Sequence, residues 1–173
     1  QKRFPEKEII EAKQAFLKIA TYEKRDKPIV GIVGEIYVRS NRFSNENIIK
    51  QIEALGAEVK LPPISEWIYY TNFCGKRRTW ERKQYGLHFK TILNDFFQRK
   101  DEKKLLNLFD GNIENEHEPA TAEVLKLSAP YIPDSFEGEA VLSIGKAIDY
   151  VQKGAHGIVN AMPFTCMPGT VVN

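Results

Sequence analysis

Cysteine is scarce in this 173-residue sequence: Cys74 and Cys166 are the only two, and they lie far apart. Two cysteines cannot build a disulfide framework, and a chain of this length buries most of its apolar surface without one. A reducing cytoplasm is the setting this favours. No apolar run is long enough to span a bilayer. The opening stretch, Gln1 to Glu8, is charged and lacks the apolar centre of a signal peptide. A charge excess is missing too: the formal net charge is +2, too small to imply a polyanion partner. There is no GxxxxGK[ST] loop and no GxGxxG turn, so the two best-defined phosphate cradles are excluded. What remains is 42% hydrophobic and 28% charged, a globular composition. We expect a cytoplasmic protein with neither membrane nor nucleic acid as a partner.

The first residue is Gln1, not methionine, and the last five, Gly169-Thr170-Val171-Val172-Asn173, carry no helix stop signal. The expectation is that residues 1–173 form a single α/β domain excised from a larger protein. An N-terminal helix is expected within residues 1–25, where Ile9, Ala12, Phe16, Leu17 and Ala20 recur at helical spacing. Ile29-Val30-Gly31-Ile32-Val33 is then apolar without alternation, as in a central strand of a parallel sheet. A loop over 35–45 follows, with Ser44 or Asn45 placed to cap a helix bearing Ile48, Ile49, Ile52 and Leu55. Gly56 ends that helix and residues 57–61 read as the second strand, completing a βαβ unit.

Residues 64–128 read as a helical insertion. Ser65-Glu66-Trp67 can start a helix, Gly86 interrupts it, and Phe89, Ile92, Leu93, Phe96 and Phe97 make an apolar stripe. Asp110-Gly111-Asn112 is a turn signal. A last helix over 138–153 carries Val141, Ile144, Ile148 and Val151 on one face; Gly154 ends it and residues 157–162 form the third strand. Together these predict a three-layer α/β fold of the Rossmann or flavodoxin kind, mostly parallel, with the helical insertion between strands two and three.

In open α/β sheets, ligands bind beyond the carboxyl ends of the strands. The third strand runs straight into Pro163-Phe164-Thr165-Cys166-Met167-Pro168-Gly169, which puts Cys166 in that zone on a turn stiffened by prolines. A thiolate there can bind a soft metal centre or act as a nucleophile. On the residues alone, a lone intracellular cysteine is more often an idle thiol. Glu35, Tyr37 and Arg39 follow the first strand, and Ser65 and Glu66 follow the second. With Thr165 they make a candidate ligand cleft: Glu35 to orient or carry a proton, Arg39 to hold a phosphate or carboxylate. Gly31 and Gly34 read as close-packing and strand-end glycines. The basic run from Lys76 to Lys83 reads as a solvated helix face, and His117 among Glu114, Glu116 and Glu118 as an acidic turn. His88 and His156 show no partner in the sequence, and His156, just before a strand, reads as structural.

Residues 30–39, Phe43-Ser44-Asn45, residues 61–67 and the stretch from Gly138-Glu139-Ala140 through Pro163-Phe164-Thr165-Cys166-Met167-Pro168-Gly169 carry a resemblance. They are similar to the CoA-substrate-specific enzyme activase-related proteins. Those are large bacterial chains joining ATPase activator modules to a module like the subunits of 2-hydroxyacyl-CoA dehydratases. The resemblance implies an iron–sulfur cluster with Cys166 as one ligand. A cluster takes about four thiolates, so the others are expected outside this chain. It further implies ATP-linked electron transfer to acyl-CoA dehydration chemistry, with the other domains of the parent chain and an acyl-CoA as partners. The alternative is a non-catalytic docking or CoA-like ligand-binding module without a cluster.

Overall fold

A computed structural model describes residues 5–20, 26–109 and 118–173. In chain order the elements are α1 (Glu6–Leu17), β1 (Ile29–Gly34), α2 (Ile36–Ser40), α3 (Ile48–Ala54), β2 (Glu58–Lys60) and α4 (Ile64–Glu81). They continue with α5 (Tyr85–Leu108), α6 (Thr121–Ser128), α7 (Glu139–Gln152), β3 (Gly157–Ala161) and α8 (Met167–Val172). The fold is α/β, with an open three-stranded parallel sheet ordered β2-β1-β3. Two compact units are present: Asp26–Cys74 with Pro119–Asn173, and Gln1–Arg25 with Gly75–Glu118.

The first unit holds the sheet. β1 lies in its centre, with Val30 opposite Gly157 and Val33 opposite Asn160 on one side, and Ile29 opposite Glu58 on the other. Ile32 and Val33 are wholly buried although they point to opposite faces, which is why this strand shows no alternation. Each contributes about 1.5–3 kcal/mol of burial. α7 packs on β1 and also against α6 and α8. Gly31 makes room for it: a Cβ there would overlap the Tyr150 ring of α7 and approach Ile158 at 2.9 Å. Gly145 does the same for α6, whose Val124 backbone occupies the space a side chain would need. Tyr70 and Cys74 of α4 join Val124, Leu125, Ile132, Ala140, Val141 and Leu142 in the apolar core. Burial pushes the Tyr70 phenol upward, and the neighbouring Cys74 thiol adds to the rise.

Local details depart from the sequence reading. Residues 35–45 are not simply a loop. Glu35 caps α2 by accepting the Val38 N–H (2.6 Å), so a helical turn follows β1 directly. Neither Ser44 nor Asn45 caps α3. Asn45 instead donates to the carbonyls of Val38 and Arg39 at the end of α2, and Ser44 donates to Asn41. Leu55 is exposed and Gly56, at φ +94°, reverses the chain. On α7 the expected face of Val141, Ile144, Ile148 and Val151 is buried in part: Val141 is wholly buried, Ile144 packs against the core and Ile148 is half-buried, but Val151 is 57% exposed, and Ser143, Gly145, Lys146 and Asp149 are buried as well. Small and paired polar residues face the neighbouring elements, and a hydrophobic count does not see them. Lys146 is 1% exposed and sits 3.1 Å from Asp149, with its ammonium 5.0 Å from the Tyr150 ring. His156, beside β3, accepts the Ile29 N–H through Nδ1 (3.1 Å), a structural role at the start of the sheet.

The second unit consists of α1, α5 and the last turns of α4. The helix break falls at Arg82–Gln84, where Lys83 takes a left-handed conformation (φ +56°). Gly86 lies inside α5 and interrupts nothing. α5 turns a polar side to α4: Lys76 pairs with Asp95 at 2.9 Å, and His88 Nδ1 lies 3.2 Å from Thr79 Oγ1 and 3.0 Å from the Lys76 carbonyl. His88, which has no evident partner in the sequence, is thus held between two residues of α4. α1 meets the far end of α5 through Glu6–Lys104 (3.1 Å) and a bond from Lys13 Nζ to the Leu108 carbonyl (2.7 Å). The turn expected at 110–112 and the cluster of Glu114, Glu116 and His117 lie outside the described residues.

Candidate functional site

β1 and β3 end side by side, and the chain leaves both at the same edge of the sheet. The Glu35 N–H donates to the Ala161 carbonyl at 2.9 Å, adding a rung beyond the last paired residues. Gly34 makes this possible. It has φ +109°, and a Cβ would overlap the Ala161 carbonyl. Its own N–H donates to Ser143 Oγ of α7 (3.2 Å). Two walls of a crevice therefore start from neighbouring strand ends, and the first two turns of α7 form the floor between them.

Glu139, in the first turn of α7, accepts the Ile36 N–H at 3.3 Å. Burial raises its carboxyl above the ordinary 4.5. The Ile36 N–H pulls it back, Glu35 adds to the rise, and Arg39 opposes it. Arg39 is 5% exposed and stands 3.8 Å from the Glu66 carboxylate, while its Nε has no hydrogen-bond partner. Arg39, Trp67, Glu139 and Ser143 line one narrow hollow with room for about one water. An adjoining, still tighter one is lined by Glu35, Glu139, Ser143 and Cys166 among others.

Cys166 reaches this edge on a stiff turn. Its N–H donates to the Pro163 carbonyl (3.2 Å), and its own carbonyl accepts from the Thr170 N–H and Oγ1, both at 3.0 Å. Thr165 is left-handed (φ +66°) and Gly169 is pressed against the Met162 side chain without room for a Cβ. Asn160 of β3 ties the turn down, donating to the Gly169 carbonyl (3.0 Å) and to Asn173 Oδ1 (2.9 Å). The thiol is half-buried and free, and not part of the apolar core.

Of the candidate cleft residues, Glu35, Arg39 and Cys166 come together at the edge, and Glu66 joins through Arg39. Tyr37 points elsewhere: it is exposed and its hydroxyl accepts from Asn41 (3.0 Å). Thr165 is exposed and shapes the turn, and Ser65 sits in the first turn of α4 without lining either hollow. Glu139 and Ser143 line both hollows yet carry no candidate role in the sequence reading. The available signal was an acid in the first turn of a helix after Gly138, a position whose free N–H groups and dipole favour a carboxylate.

Among the described residues, no group of three or more His, Cys, Asp or Glu side chains is arranged to hold a metal ion. Cys74 is buried in the core cluster with Tyr70. With two cysteines, one of them in the core, this chain does not itself supply the thiolates of an iron–sulfur cluster. Among the described residues no helix is long and apolar enough to cross a membrane. Comparison with models of protein families, with curated proteins and with solved structures finds no match to this chain.

Proposed function

We propose that this chain is part of a 2-hydroxyacyl-CoA dehydratase or activase-related protein, and that its strand-end edge supplies one ligand, Cys166, to an iron–sulfur cluster completed by thiolates outside it. The parallel sheet and its covering helices belong, on this reading, to a three-layer Rossmann-like framework. The observation that carries the proposal is the placement of Cys166: a half-buried free thiol on a hydrogen-bonded turn, at the carboxyl edge of the sheet, beside Glu35 and Glu139. When bound, such a cluster supplies one-electron chemistry to the acyl-CoA.

The chain's own contribution is positional. The Asn160 bonds and the Pro163–Thr170 turn fix where the sulfur stands. Glu139, whose carboxyl is shifted toward the protonated form, is a group able to hold a proton at Oε beside the thiol. Arg39 offsets the charge of the surrounding carboxylates. The hollows leave room for little more than a single water, far less than the ~300–1,000 Å³ of ordinary small-molecule pockets. An acyl-CoA therefore does not enter this edge as it stands, which favours the ligand-supplying role over a CoA-binding module. The test is anaerobic reconstitution of the longer parent protein with iron and sulfide, beside its Cys166→Ser form. Loss of cluster iron and of the visible charge-transfer band in the variant supports the role; unchanged cluster content removes it.

A further inference from the structure

α5 displays a surface that the strand-end reading does not use. Phe89, Ile92, Leu93, Phe96 and Phe97 fall on one face by helical spacing. All five are exposed, Phe89 by 62% and Phe96 by 59%. A contiguous patch of large apolar side chains marks an interaction surface. Four and seven residues beyond Phe96, exposed Lys100 and Lys103 continue the same face, and exposed Lys90 flanks it.

Charge decides between occupants. A second copy laid antiparallel and centred on Leu93 would set Lys100 against Gly86 and carry Lys103 past the start of α5; a parallel copy would set each lysine against its twin. Neither arrangement sets an acid of α5 opposite either lysine, and the parallel one opposes like charges. The same unit already holds an example of the favoured chemistry. α1 begins with Glu6 and Glu8, and Glu6 pairs with Lys104 of α5 at 3.1 Å.

We propose that this face of α5 docks an acidic amphipathic helix of a partner protein, its apolar seam over residues 89–97 and its carboxylates over Lys100 and Lys103. This is the helix-on-groove mode, in which apolar anchors set affinity and the charged end sets register.

The test uses the whole chain and two labelled synthetic helical peptides. Both carry a leucine seam; one ends in glutamates at the next two positions of the seam, and its twin has lysines there. Fluorescence anisotropy at low salt should show the glutamate peptide binding at least tenfold more tightly than its twin. The double variant Lys100→Glu/Lys103→Glu should invert that order. Phe89→Ser/Phe96→Ser should weaken both peptides at least tenfold with the far-ultraviolet circular dichroism unchanged; if that variant does not fold, the lysine pair decides alone. Equal binding of the two peptides, no binding of either, or an order unchanged by the lysine variant overturns the proposal. So does self-association of the chain that the phenylalanine variant abolishes, which would make a second copy the occupant. Tighter binding to phosphatidylserine vesicles than to the glutamate peptide would likewise overturn it, in favour of a membrane.

Discussion

Replacing Gly34 by alanine tests whether the strand-end edge is built as described. Two costs add at this residue. Its φ of +109° is closed to side chains, and left-handed backbone costs about 1–2 kcal/mol for an L-residue. The new Cβ would also overlap the Ala161 carbonyl and lie 2.8 Å from Asn160 Oδ1. That carbonyl is backbone, held by the Glu35 N–H, so relief requires β1 and β3 to spread, an overpacking cost of about 1–3 kcal/mol. The sum, about 2–5 kcal/mol, is a large part of the ~5–15 kcal/mol that holds a domain together. Gly56 is the control. It has φ +94° but nothing within 4 Å of the place a methyl would take, so Gly56→Ala carries the backbone cost alone. Urea unfolding followed by circular dichroism should place the Gly34→Ala midpoint below that of Gly56→Ala by roughly 1 M, at a slope of about 1–3 kcal/mol/M. Equal midpoints would show that the two strand ends are not in contact at this residue, and the argument for a common edge would fail with them.

Three further outcomes are expected. Glu139 is raised by burial, so its protonated form is the one folding favours: its contribution to stability is full below the ordinary 4.5 and declines as pH rises through the raised value. Glu139→Gln should therefore gain relative to wild type as pH increases from about 4.5; paired urea titrations at several pH values check this, and a parallel pH dependence of the two proteins refutes it. Cys166 is half-buried and Cys74 is buried. A disulfide reagent should modify one thiol rapidly in the native chain and the second only in denaturant, with mass mapping to Cys166 first; rapid labelling of Cys74 would contradict the packing. Asp149→Ala removes the carboxylate from a lysine that is 1% exposed, and should destabilise by about 3 kcal/mol, measured by urea unfolding. A loss below about 1 kcal/mol, the size of a surface pair, would mean that the Asp149 carboxylate is not what compensates the buried Lys146 ammonium.

The sheet was readable because β1 and β3 are short runs rich in Ile and Val and glycine or proline closes each strand or follows it within two residues, and those signals are local. β1 lacks alternation since both its faces are covered, and Gly56 and Gly154 stop helices by accepting left-handed backbone (φ +94° and +88°). The crevice was half readable. Cys166, Glu35 and Arg39 could be placed from their offsets beyond strands. Glu139 and Ser143 could not, because their roles depend on α7 crossing beneath β1, a tertiary event. Tyr37 was misplaced for a related reason: the chain after Gly34 coils into α2 instead of extending, which turns Tyr37 outward and Arg39 inward. The stripe on α5 shows the converse limit. Its periodicity gave the helix correctly but not its covering, since α5 meets α4 through His88, Thr79, Lys76 and Asp95, contacts that no hydrophobic pattern encodes.

The bond from the Glu35 N–H to the Ala161 carbonyl has a mechanical consequence. It couples the entrance of α2 to the exit of β3, so the carboxylate side and the thiol side of the edge move as one piece with the sheet. Widening the gap between them requires unzipping the ladder from its end, not swinging a loop. Any group seated there meets a gap of set width, and selection among groups acts through size and charge before it acts through motion.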